Sequence, residues 1–109
     1  MITLRVYMAQ KQCCGFALRG HAGAGKKGQD IVCAAVSSAA YLAANTLSEF
    51  ADIAQAAQGE NSLRVLAAGQ TEVSKAVLQG FLQHMRALAA QYPKNIRIIY
   101  ERNQNNAEN

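Results

Sequence analysis

The sequence predicts an α+β fold, in the order ββαββαβ, with two helices covering a mostly antiparallel sheet. Two segments have apolar residues recurring every three or four positions, and the rest of the ordered chain alternates with period two. With 109 residues, half of them apolar, the chain is sized for one core. Residues 1–102 read as a single domain and 103–109, NQNNAEN, as a polar tail not expected to order.

Ile2, Leu4, Val6 and Met8 alternate with Thr3, Arg5 and Tyr7, giving a first strand with one buried face. After Gln10-Lys11-Gln12 a second run is expected to place Cys14, Phe16 and Leu18 on one face, completing a hairpin. From Asp30 the period becomes helical. Val32, Val36, Ala39, Ala43, Leu47 and Phe50 form one stripe, and Asp30 is a suitable N-cap.

Residues 51–69 read as two strands around Gly59-Glu60-Asn61. A second helix is expected from about Thr71 to Tyr92 on Val73, Val77, Phe81, Met85 and Leu88, and Pro93 stops it. Ile96, Ile98 and Tyr100 make the last strand.

The start of the chain alternates, unlike a signal peptide, and no stretch approaches the ~18 apolar residues of a membrane span. A soluble cytoplasmic protein without membrane partners is therefore expected. Three cysteines, two of them adjacent, suit neither a disulfide scaffold nor a zinc site. They read as reduced thiols, and no metal or cofactor is implied.

The +4 charge is uneven. Arg5, Lys11, Arg19, Lys26 and Lys27 precede the first acidic residue, Asp30. The positive field is thus assigned to the N-terminal hairpin and the loop after it, a surface suited to an anionic neighbour such as ribosomal RNA.

Two chemistries compete for residues 20–37, GHAGAGKKGQDIVCAAVS. Gly20 to Lys27 comes within one residue of a phosphate-binding loop. Lys27, however, stands where a magnesium-binding hydroxyl belongs, and Gly28, Gln29 and Asp30 intervene before the helix. A thiol nucleophile fits better. With Asp30 as N-cap, Cys33 lies in the first helical turn, where unpaired amides and the helix dipole favour a thiolate. His21 sits in the preceding segment, able to fold back as its base. Ser37 follows one turn below Cys33 on the same flank, beside the buried stripe. His84, the other histidine, reads as a packed or surface residue.

The blocks Gly20-His21-Ala22-Gly23 and Asp30-Ile31-Val32-Cys33-Ala34-Ala35-Val36-Ser37 together resemble the signature of the ribosomal-processing cysteine proteases, and the resemblance extends over residues 1–102. It implies a dimeric cytoplasmic endopeptidase that removes a short N-terminal extension from the precursor of large-subunit ribosomal protein twenty-seven, cutting after an aromatic-rich stretch. By position, Cys33 is the nucleophile and His21 its base, with Asp30 and Ser37 in supporting positions. Gly20, Ala22, Gly23, Gly25 and Gly28 belong to a substrate loop expected to close over the peptide. Ala24-Gly25-Lys26-Lys27 departs from the aromatic and acidic residues common in that family, which bears on specificity. The alternative is a non-catalytic ribosome- or RNA-associated module using the basic hairpin.

Overall fold

The computed structural model describes residues 1–20 and 31–102. Five strands and two helices follow in the expected order: β1 (Ile2–Ala9), β2 (Gln12–Gly20), α1 (Ile31–Phe50), β3 (Ile53–Gly59), β4 (Ser62–Ala67), α2 (Glu72–Gln91) and β5 (Ile96–Arg102). The tail, 103–109, lies outside the described residues.

The strands form one sheet in the order β3-β4-β2-β1-β5. All pairings are antiparallel except β1 with β5, which run parallel. Gln10 and Lys11 turn the first hairpin with φ of 53° and 68°, the left-handed pair that matches strand twist.

Both helices lie on one face of the sheet. Leu4, Val6 and Phe16 from the strands meet Val36, Ala40 and Leu47 of α1 and Leu78, Leu82 and Met85 of α2 in one core. The rings of Phe16 and Phe81, 4.3 Å apart, tie β2 to α2.

Three details of the sequence reading shift. A bulge between Tyr7 and Met8 pairs Tyr7 with Gly15 but Met8 with Cys13, leaving Cys14 as the extra residue. Cys13, not Cys14, therefore shares the core with Phe16 and Leu18, while Cys14 packs with Ala9 and Leu66 elsewhere. In α2 the buried face is Ser74, Leu78, Phe81, Leu82 and Met85, and Val73 is exposed. Thr71 and Ser74 cap this helix reciprocally, and the Ser74 hydroxyl also donates to the Gly69 carbonyl at 3.0 Å, so a serine takes a core-facing position. In α1 Ala40 joins the stripe and Phe50 falls outside it, 69% exposed.

By length and composition α1 does meet the requirement for a membrane span that the sequence reading denied, with mean hydropathy 1.4. Its run of alanines carries a single charge, Glu49. A core helix passes the same test, and Val32, Val36, Ala40, Ala43 and Leu47 are buried against the sheet and α2.

Candidate active site

The chain leaves the sheet at Gly20. Its φ is +101°, and a Cβ there would lie 2.5 Å from the carbonyl oxygen of Met1, so only glycine fits without displacement. The Gly20 amide donates to the Asn61 carbonyl at 3.0 Å, which fixes this exit beside the β3–β4 turn.

Described structure resumes at Ile31, at the same end of the sheet. The reason is topological. Only Ala51 and Asp52 join α1 to β3, so β3 runs back along α1 toward the helix N-terminus and ends at Gly59, near Asn61 and Gly20. Cys33, in the first turn of α1, is thereby brought to the end where β2 releases the chain. His21, Ala22, Gly23, Gly25, Gly28 and Asp30 lie outside the described residues.

Cys33 is half-buried, packed against the edge of the core. Ser37 is exposed one turn further along the same flank. That flank continues into a groove walled by Tyr41, Ala44, Asn45 and Ser48 of α1 and by Ile53, Ala56 and Gln58 of β3, with Leu63 and Val65 at its base. Its outer wall is an edge strand of uncharged residues that, among the described residues, pairs only with β4. The backbone groups along that edge can receive an extended peptide.

The three thiols differ in kind. Cys13 is buried and donates to the Gly15 carbonyl at 3.5 Å. Burial raises its pKa to about 11, outweighing the opposing backbone hydrogen bond at Gly15, so it stays protonated at neutral pH. Cys14 is buried too, and donates to the Tyr7 carbonyl at 3.3 Å. Cys33 alone of the three is within reach of solvent. A nucleophile must meet its substrate and ionise, and only Cys33 combines partial exposure with a helix N-terminus.

A second and larger groove, about 620 Å³, runs between α1 and α2. Ala35, Ser38, Leu42, Val77, Phe81 and the exposed His84 line it. It lies on the opposite flank of α1 from Cys33, which separates His84 from the thiol. Among the described residues, no group of His, Cys, Asp and Glu is arranged to hold a metal ion.

The sequence reading missed these two grooves. It also placed the positive charge on the N-terminal hairpin, whereas Arg64 and Arg97, from β4 and β5, share the helix-free face of the sheet with Arg5 and Arg19.

Residues 1–97 match the model of a protein family described as cysteine protease Prp. No curated protein is similar in sequence at a significant level. Among solved structures, the chain resembles the essential ribosomal processing protease Prp from S. aureus with a covalently linked product peptide, at 23% identity and a TM-score of 0.80. That match covers 93% of this chain and 100% of the other. The same protease with a substrate peptide matches at 20% identity and a TM-score of 0.75, again over 93% and 100% of the two chains. SMU.848 from Streptococcus mutans matches at 26% identity and a TM-score of 0.76, over 94% of this chain and 96% of that one.

Proposed function

The chain belongs to the Prp family of cysteine proteases, and from that premise we propose that it removes the N-terminal extension of a ribosomal protein precursor, large-subunit ribosomal protein twenty-seven. The observation that carries the reading is the position of Cys33: half-buried in the first turn of α1, at the end of the sheet where the chain departs toward His21.

In this reading the Cys33 thiolate, favoured by the first-turn amides and dipole of α1, attacks the scissile carbonyl. His21 takes the thiol proton and returns it to the departing amine. The carbon–nitrogen bond breaks, leaving a thioester on Cys33, which water then hydrolyses with His21 again as base. Asp30 is assigned a supporting role, as helix cap or as the group that orients His21, and Ser37 a hydrogen bond near the site. The substrate lies extended in the groove between α1 and β3, its backbone added to the free edge of the sheet.

The S. aureus protease is described with product and substrate peptides, which supports a peptide substrate for this chain. Cytoplasmic location and a homodimer belong to the same proposal. Exposed Ile31, Leu42 and Phe50 on α1, at 61%, 69% and 69%, favour a partner against that helix. Family membership favours the peptidase over a purely binding module.

The test is to incubate the precursor with the wild-type chain, with Cys33→Ala and with His21→Ala, and to read its N-terminus by mass spectrometry. The wild type should shorten it at one site, Cys33→Ala should not, and His21→Ala should be slower by orders of magnitude. A precursor left intact by the wild type would sink the substrate assignment. Cleavage by Cys33→Ala at the wild-type rate would sink the mechanism.

A further inference from the structure

Among the described residues, helices cover one face of the sheet only. Across the other, register puts one arginine on each of four neighbouring strands. Arg97 of β5 lies opposite Thr3, which lies opposite Arg19 of β2. Two residues along, Arg5 of β1 lies opposite Ala17, which lies opposite Arg64 of β4. The four side chains thus zigzag across the sheet, each about 8 Å from the next, from strand spacing and rise. All four are exposed.

Small residues, Thr3, Ala17 and Ser62, lie between Arg5, Arg19 and Arg64, leaving a shallow basin of about 610 Å³ with Arg97 beyond its rim. Gly15 has no side chain between Tyr7 and Leu66, and the Arg64 guanidinium reaches across to lie 5.3 Å from the centre of the Tyr7 ring. Among the described residues the only carboxylate paired with this band is Glu101, 2.7 Å from Arg5.

We infer that this face binds single-stranded RNA. Forked guanidiniums spaced across a flat sheet suit successive phosphates, and the Tyr7–Arg64 pair offers a plane on which a base can stack. Charge complementarity selects the occupant. A second copy brought face to face would set arginine against arginine, which opposes self-association here. An acidic peptide would satisfy the charge but has no use for the stacking plane. The face lies on the opposite side of the sheet from α1 and Cys33, so the inference stands apart from the peptidase reading and either can fail alone.

The experiment is fluorescence anisotropy of a labelled twelve-nucleotide oligouridylate titrated with the full chain at 50 and 200 mM salt. Affinity should fall with salt, and Arg64→Gln or Arg97→Gln should each flatten the log–log slope by about 0.7. Lys94→Gln, at the turn before β5, should leave it unchanged, and Glu101→Gln should tighten binding by releasing Arg5. Circular dichroism checks that each variant is folded. Wild-type affinity in both arginine variants would overturn the inference, as would tighter binding of a duplex of the same length. Preferential binding of oligoglutamate would overturn it in favour of an acidic peptide.

Discussion

Replacing Gly20 with alanine perturbs the fold and the approach to the site at one atom. The added methyl meets two obstacles. A side chain at φ +101° costs about 1–3 kcal/mol in backbone strain alone. The new Cβ would also sit 2.5 Å from the Met1 carbonyl oxygen, well inside van der Waals contact. Relief requires the Met1–Ile2 peptide to move, and the N–H of that same peptide donates to the Asn95 carbonyl at 2.8 Å. Weakening that bond adds about 1 kcal/mol, for a total of about 2–4 kcal/mol. Urea denaturation should show a midpoint lower by on the order of 1–3 M. Gly80→Ala supplies the opposite sign: nothing lies within 4 Å of its Cβ, and mid-helix glycine costs about 0.5–1 kcal/mol relative to alanine. A Gly20→Ala chain with the wild-type midpoint would refute the reasoning.

Three further outcomes are expected. Burial holds the folded Cys13 pKa near 11, above its ordinary value of 9.0, so its contribution to stability is complete below pH 9 and is lost as pH rises toward 11. The loss, about 2–3 kcal/mol, should be absent from the pH–stability curve of Cys13→Ala, and alkylation at pH 8 should reach Cys33 well before Cys13. Ser74→Ala keeps the N-cap bond to Thr71 but removes the hydroxyl that accepts from the Thr71 amide and donates to the Gly69 carbonyl, and should cost about 1–3 kcal/mol by denaturation; Ser74→Thr, which keeps the hydroxyl, should cost less. If α1 forms the subunit contact, Leu42→Glu should convert the dimer to a monomer by light scattering without lowering monomer stability, since Leu42 is 69% exposed.

The order of elements was legible because period two and period 3.6 are local signals. Thr71 and Pro93 marked the ends of α2 in the same way. Side-chain facing was less legible wherever a distant residue decides it. The bulge that sends Cys13 into the main core and Cys14 into the separate cluster with Ala9 and Leu66 depends on β1 as well as β2. In α2 the apolar residues span more than one face, and the position of α1 decides that Val77 lines a groove while Leu78 enters the core. For the candidate site, the types at 21, 30, 33 and 37 could be read from the motif. The partial exposure of Cys33 followed from its place on the flank of the stripe, whereas the separate clusters that bury Cys13 and Cys14 could not be read, because they depend on the whole packing. The arginine band was hidden because its members come from four strands and align only through register.

The parallel pairing of β1 with β5 has a consequence for how the molecule is made. The ion pair from Arg5 to Glu101 joins residues 96 apart in sequence, and β1 lies between β2 and β5 in the finished sheet. During synthesis β1 and β2 can close their hairpin early, but Ile2, Leu4 and Val6 keep one open edge until β5 leaves the ribosome. Pairings between such distant segments form slowly, and an uncovered strand can recruit other chains while it waits. A nascent chain halted before Ile96 would hold Cys33 in place on α1 yet lack the strand that completes its sheet. Competence as a hydrolase would then arrive only once β5 has docked beside β1.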